Sequence, residues 1–547
     1  MSKEIKQGTE AQEFVIKGID KVADIVKTTV GPSGRNVLVR NQISTPIITN
    51  DGVTIAKAIE LKDNTEDAAA RVIIQAANKT NDVAGDGTTT TTILAQQMIH
   101  KFYDLKSEYD DVNCVKVQKD MIKTSNEISD YLKSVAQNIT SAEDIKRVAT
   151  ISSGDEHTGE LIAQAFELAG DFGSVVVEDS KTGLDSIEPI EGMKISNGMI
   201  NPYLFVDRLN SKSDLIQPYV LVTTEKLDSA SDVLPILNDC AKTGKKLVII
   251  CEDVGIEVLN AIINNKMRGI PLDISAIRLP GFGELRESLI DDICVATGAT
   301  LISRDRGLTL KDYGEDKLGT ADQITITNDD TVIKFANTKL EQDDLLHNRE
   351  ERVKELQVQL DKAEQNQKTQ FTKRIANLTT GITIIKVGGN SEVELNDRKL
   401  RIEDAINSVT SAKEEGIVPG GGYSFIQYLI DNVINNGLDI KDISLGRRVV
   451  YDSLTAVTKQ IADNAGYDGN LVVDKCITDK IGFNALTGNY ENLLETGVIN
   501  SVKVDRYSLL NSTSVAATVI TLGGSVVEEN EKDQNILQLQ GPIPGMM

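Results

Sequence analysis

The sequence predicts a multidomain α + α/β chain in which a mostly helical domain, made from both chain ends, holds an inserted α/β domain. Three observations lead there. The chain has 547 residues, too many for one core, and at roughly 150 residues per domain it holds three or four. Its two ends share helical apolar spacing interrupted by glycine-rich turns. Between them the texture changes to short β-branched runs alternating with helical stretches, the pattern of an α/β domain.

In chain order, Val15, Ile19, Val22 and Val26 recur on one helical face, and Gly31-Pro32-Ser33-Gly34 forces a turn after them. Asn36–Val39 and Ile47–Thr49 read as a strand pair. Residues 66–83 and 88–104 return to helical spacing on either side of Gly85-Asp86-Gly87. In the middle, Ser174–Glu178, Tyr219–Val222, Leu247–Ile250 and Ile274–Ile277 read as strands. Residues 340–377 form a charged, Gln-rich stretch, either a solvated helical hairpin or a partner-binding coiled coil. Ile382–Val387 is strand-like, Leu400–Lys413 is helical, and from about 415 to 527 the style of the N-terminal region returns. The polar tail from Glu528 is expected to be flexible. There are no internal repeats.

Composition narrows the function. The formal charge is −24, and so acidic a surface repels phosphate backbones and anionic lipid, so neither nucleic acid nor membrane is expected as a partner. No run of 18 apolar residues exists to span a bilayer, and the charged start Met1–Lys6 lacks a signal-peptide core. Cys114, Cys240, Cys251, Cys294 and Cys476 form no C-x-x-C pair, a reduced pattern that fits a cytoplasmic location. Aromatic residues are only 4% and Trp is absent, so small and aliphatic side chains must fill the cores.

Three loops carry the chemistry. Thr28-Thr29-Val30-Gly31-Pro32-Ser33-Gly34 is either a plain helix-ending turn or a loop whose glycines admit an anion to backbone N–H groups. Asp51-Gly52-Val53-Thr54 sets a carboxylate at a tight turn, which an Asx motif also explains. Gly85-Asp86-Gly87 is followed by Thr88, Thr89, Thr90, Thr91 and Thr92, which open a helix whose first N–H groups are unpaired and favour negative charge. A carboxylate there can hold magnesium against phosphates. Capping explains one threonine, not five. The sequence has no G-x-x-x-x-G-K-[ST], no G-x-G-x-x-G and no protein-kinase signature.

Together with Arg401-Ile402-Glu403-Asp404-Ala405 and Gly420-Gly421-Gly422, these loops make the chain resemble the group I chaperonins, the GroEL family, over about residues 3–527. The resemblance implies a chaperonin-like fold. Its equatorial ATP domain would cover residues 1–133 and 415–527, its intermediate domain 134–190 and 382–414, and its apical polypeptide-binding domain 191–381, with a flexible tail at 528–547. It also implies the site. Thr29, Val30, Gly31 and Pro32 match the phosphate loop, Asp86 the Mg2+ ligand, and Gly87, Thr88, Thr89 and Thr90 the groups around the phosphates. Asp404 matches the aspartate that orients the attacking water, Asp51 the second acidic residue by the γ-phosphate. Gly421, Asn484, Ala485 and Asn500 match positions around ribose and adenine. Thr29, Asn50 and Thr89 match a K+ site. Asn500 stands where the family has an acidic residue, and Leu486 where it has alanine.

For the apical region the resemblance assigns polypeptide binding to Met199, Tyr203, Leu204, Leu234, Leu237, Leu259 and Ile263. On spacing alone such stripes also suit a core. The implied function is an ATP-dependent, ring-forming ATPase that binds unfolded polypeptides and promotes their folding, in a homo-oligomeric ring that is seven-membered by resemblance, with a lid-like co-chaperonin as partner. The alternative is a chaperonin-derived holdase or scaffold with little ATP turnover.

Overall fold

A computed structural model describes residues 3–528 except 41–45, 110–111, 140, 171–172, 181, 209–210, 268–272, 282, 337–341, 364, 380–381, 390 and 439–442. The expected flexible tail beyond Glu528 lies outside the described residues. The chain divides into two compact units: Met1–Gln164 with Asp179–Leu184 and Val387–Met547, and Ala165–Glu178 with Asp185–Lys386.

The first unit is helical. Gly8–Val26, Asn64–Ala84, Thr88–Lys106, Cys114–Ser134, Leu445–Ser453 and Val502–Val519 surround one core. Ile19, Ile73, Met98, Phe102 and Leu132 from the N-terminal segment interlock there with Val449, Val450, Leu509 and Ala516 from the C-terminal one. The Gly8–Val26 helix buries Val15, Ile19, Val22 and Val26, the stripe legible in the sequence. Asp63 caps the Asn64–Ala84 helix by accepting from the Thr65 and Glu66 N–H groups, and Gly85 ends it in the left-handed conformation. Lys3–Gln7 pairs antiparallel with Gly524–Glu528 and ties the two chain ends together. Val37–Val39 and Ile47–Thr49 form the expected hairpin. The long Glu392–Glu415 helix packs on Ala142–Ser153.

The second unit is α/β. Ile274–Arg278, Leu247–Cys251 and Tyr219–Val222 are parallel neighbours, and Gly319–Thr320 pairs antiparallel at the edge. Leu247–Cys251 is buried along its whole length, as a central parallel strand must be. The crossover helices are Ala230–Thr243 and Ile256–Met267. A second sheet, wholly antiparallel, orders Gly192–Ile195, Thr331–Lys334, Gln323–Ile326 and Ser213–Ile216. The charged stretch forms two helices, Gln342–Lys362 and Gln365–Thr379, as the helical-hairpin reading expects. Buried Asp292, on Gly283–Thr297, holds both: Arg374 donates to it through two bonds of 2.6 and 2.9 Å, and Arg352 through one of 3.0 Å.

Candidate nucleotide site and apical surface

The first unit gathers the predicted carboxylates at one helix start. Gly87 has φ +95°, and a Cβ there would lie 2.5 Å from Ser508 Oγ and 2.9 Å from Val504 Cγ1, so only glycine fits. It precedes the Thr88–Lys106 helix without a side-chain cap. The first intrahelical bond is Thr91 N–H to Gly87 C=O at 2.9 Å, which leaves the amides of Thr88, Thr89 and Thr90 without intrahelical partners. Thr88 Oγ1 is buried and has no hydrogen-bond partner. Such an orphan is costly unless a ligand meets it. Thr91 and Thr92 serve the fold instead: Thr91 Oγ1 donates to Thr80 Oγ1 at 2.9 Å and Thr92 Oγ1 to the Thr88 carbonyl at 2.9 Å.

The Thr28–Gly34 loop lies alongside. Thr29 is buried, and its Oγ1 stands 3.4 Å from Thr89 Oγ1. Asn464 Nδ2 donates to the carbonyls of Lys27 and Val30, both at 2.9 Å, and fixes the loop's path past half-buried Val30 to Gly31 and exposed Pro32. Asp51 caps the short Gly52–Lys57 helix, accepting from Val53 N at 3.0 Å and Thr54 N at 2.8 Å. Asn50, half-buried, precedes it.

Asp86 accepts from the Gly87 N–H, from Ser408 Oγ at 2.9 Å and from Ser152 Oγ at 3.4 Å. Ser408 lies four residues after Asp404 on the same helix, so the two share a face. Burial raises the Asp404 carboxyl well above the ordinary carboxylate range, and the charges of Asp51, Asp86 and Glu403 push the same way. Burial also raises Asp86, assisted by Asp51 and opposed by its three hydrogen bonds. Asp51, Asp86 and Asp404 thus repel one another in a poorly solvated space, which a cation relieves. Among the described residues no three His, Cys, Asp or Glu side chains converge to hold a metal unaided. The donor set suits magnesium carried on one carboxylate and completed by phosphate and water oxygens.

The remaining matched positions lie on the Gly420–Gly422 turn, around the Gly482–Asn484 strand and on the Ile499–Ser501 strand. Gly421 has φ +62°, and a Cβ on it would meet only Phe483 O, at 4.0 Å, so its face is open. Asn484 uses both ends of its amide inside a hairpin: Nδ2 donates to Glu491 at 2.7 Å and Oδ1 accepts from Leu486 N at 3.0 Å. Ala485 belongs to a small core with Tyr423, Ile426 and Phe483. Asn500 Nδ2 donates to Asp505 Oδ1 at 2.5 Å. Sequence reasoning missed Ser152, Ser408, Asn464 and Asp505. Helical spacing from Asp404 could have found Ser408; the others leave no local signal.

In the second unit the apical assignment needs correction. Met199, Leu204 and Leu237 are core residues, Leu237 being 2% exposed. Val233, Ile236, Leu237 and Cys240 form the stripe that the Ala230–Thr243 helix turns to the sheet. Leu204 is pulled in by the Pro202–Leu204 turn, while Met199 bridges to Ile277. These three side chains offer no surface to a client. Leu234 and Tyr203 are exposed, at 42% and 60%, and Leu259 and Ile263 are half-buried. Ile256, unremarked in the sequence, is 77% exposed at the start of the next helix. The two helices are joined where Glu257 accepts from the Ala230 N–H at 3.3 Å.

This arrangement belongs to a known class of fold. Over 96% of its length the chain is similar to the crystal structure of the chaperonin gp146 from the bacteriophage EL 2 (Pseudomonas aeruginosa) in the presence of ATP-BeFx, crystal form II, covering 99% of that chain with a TM-score of 0.71 at 21% identity. Crystal form I of the same protein matches with a TM-score of 0.61 at 20% identity, over 96% of this chain and 99% of that one. The chain therefore has the chaperonin fold. Residues 22–529 match the TCP-1/cpn60 chaperonin family, and the protein belongs to that family. Among the described residues no helix is long and apolar enough to cross a membrane.

Proposed function

We propose that the protein is an ATP-driven folding chaperonin of the group I type, in which the first unit hydrolyses ATP and the second captures unfolded polypeptide. The observation that carries this is the meeting of Asp86, Asp404 and Asp51 at a free helix start beside the orphaned Thr88 hydroxyl. Phosphates would take the amides of Thr88–Thr90 and that of Gly31 in the Thr29–Pro32 loop. Asp86 would hold Mg2+, which supplies charge neutralisation to the phosphates. Asp404, on a helix of the intermediate domain (134–190 and 382–414), would orient the attacking water, with Asp51 beside it. Thr29 and Thr89 oxygens, with Asn50, suit K+. Gly421, Ala485 and Asn500 would line the nucleoside, and Asn484 would hold its hairpin. Leu234, Ile256, Leu259, Ile263 and Tyr203 would grip clients, because burial of apolar surface is non-directional.

Two-stranded sheets support the ring. The Lys3–Gln7/Gly524–Glu528 pair leaves Ile5 and Val526 exposed, at 61% and 65%, and the other hairpin leaves Leu38 exposed, at 68%. Isolated pairs of strands are marginal in water and invite pairing with a second copy. The test is ATP hydrolysis by the purified chain, with electron microscopy for rings. Phosphate release that depends on Mg2+ and collapses in Asp86→Ala supports the reading, whereas client binding with no turnover favours the holdase.

A further inference from the structure

One helix meets the Asp86 loop residue by residue. The Glu392–Glu415 helix carries Asp404, Asn407, Ser408 and Ser411 at the spacing of a single face. Ser411 Oγ donates to the Ala84 carbonyl at 2.6 Å. Asn407 covers Gly85 so closely that a Cβ on the glycine would lie 2.2 Å from the asparagine Cβ. Ser408 Oγ donates to Asp86 Oδ2 at 2.9 Å. Ser408 and Ser411 are 2% and 4% exposed, so neither hydroxyl is there to meet water. The Ala142–Ser153 helix adds Ser152, whose Oγ stands 3.4 Å from the same Oδ2 and 3.1 Å from Ser408 Oγ.

The two oxygens of Asp86 therefore have different company. Oδ2 is held by hydroxyls from two helices, whereas Oδ1 lies against the Gly87 N–H at the start of the Thr88–Lys106 helix. A carboxylate oxygen has two acceptor sites, so Oδ1 keeps one after the Gly87 bond, at the helix start that offers the Thr88–Thr90 amides. We propose that Ser408 is a positioning residue that pins Asp86 Oδ2, so that Oδ1 is the single oxygen presented to Mg2+ beside the phosphates. Magnesium demands near-ideal octahedral geometry, which a carboxylate free to rotate serves poorly. The ionised carboxylate that binds the cation only accepts, and a hydroxyl can donate to it, so the Ser408 bond suits the loaded site. The same helix face brings Asp404, so one helix register sets both the metal ligand and the group assigned to the water. The inference rests on the nucleotide reading above and adds to it a residue that governs metal affinity.

The probe is Mn2+, a paramagnetic substitute for Mg2+, titrated into the full-length protein with a non-hydrolysable ATP analogue and followed by electron paramagnetic resonance. Ser408→Ala should weaken Mn2+ binding by about 10–100-fold, the usual effect of removing a hydrogen-bond partner of a metal ligand. Its affinity for the analogue in EDTA should not change. Ser152 is half-buried and its bond is longer, so Ser152→Ala should weaken Mn2+ binding by less. Ser411→Ala controls for docking of the helix, because it cuts the bond to Ala84 and removes no partner of Asp86. It should lower the melting temperature and leave Mn2+ affinity alone. Unaltered Mn2+ binding in a folded Ser408→Ala overturns the inference, as does an equal loss in Ser411→Ala, which would make docking the whole cause. If melts show that Ser408→Ala does not fold, Ser152→Ala decides, and unaltered Mn2+ binding there overturns the inference. Failure of the unmodified protein to bind the analogue with Mn2+ overturns the nucleotide reading as well.

Discussion

Asp404→Asn separates catalysis from folding in opposite directions. The carboxylate is held where burial and three like charges oppose its ionisation, and no hydrogen bond to it is found among the described residues. Replacing it with a neutral isostere removes the repulsion, and each unit by which its pKa had been raised is worth about 1.4 kcal/mol of stability above that pKa. The cation-free protein should therefore melt higher at pH 8 than the unmodified protein. A raised carboxyl stabilises the fold while it stays protonated and loses that contribution as pH rises through its folded value, so the fall in melting temperature towards high pH should also shrink. Catalysis should move the other way. Losing an oriented water costs roughly 10²–10⁴ in rate, or about 3–5 kcal/mol of barrier. Phosphate release and differential scanning fluorimetry on the same sample, with and without Mg2+, read both quantities. Unchanged turnover, or a variant that melts lower with turnover intact, refutes the placement of Asp404 at the reacting centre.

Other perturbations test the remaining assignments. Leu237→Ala should cost about 2–5 kcal/mol by opening a cavity in the second unit, read by denaturant titration. Leu234→Ser with Ile256→Ser should instead leave stability within about 0.5 kcal/mol and weaken suppression of client aggregation in light scattering. Asp292→Ala leaves Arg374 and Arg352 facing each other without their anion and should cost about 3–5 kcal/mol, measured as early melting of that unit. Burial lifts the Asp505 carboxyl from 3.8 to about 7. Across that window the folded state holds a proton the unfolded chain has released, so stability falls as pH rises, by roughly 4 kcal/mol at most. Asp505→Asn should flatten that slope in a pH series of melts.

What the sequence disclosed depended on how local the signal was. The Val15–Val26 stripe, the Val37–Thr49 hairpin and the fully apolar Leu247–Ile250 strand carry their own periodicity and were legible. Lys3–Gln7 was not, because its partner lies more than five hundred residues away and neither face of the pair is apolar throughout. At the site, Asp86 and its threonines were visible as a motif, and Asp404 through resemblance. Asp505 and Ser152 come near Asp86 only by tertiary packing. Leu237 was misread because a stripe facing a sheet and one facing a client have the same spacing. The sheet behind the helix decides between them.

The pairing of Lys3–Gln7 with Gly524–Glu528 has a consequence for how the chain is made. The inserted unit occupies one nearly continuous stretch and can close as soon as it leaves the ribosome. The helical unit cannot, since Ile19, Ile73 and Leu132 wait for Val449 and Leu509 to be synthesised. At about 5–20 residues per second, the N-terminal helices spend tens of seconds with their apolar faces uncovered. Each newborn chain is, for that interval, itself an unfolded polypeptide with exposed apolar faces, the same kind of client that the proposed function assigns to the finished protein.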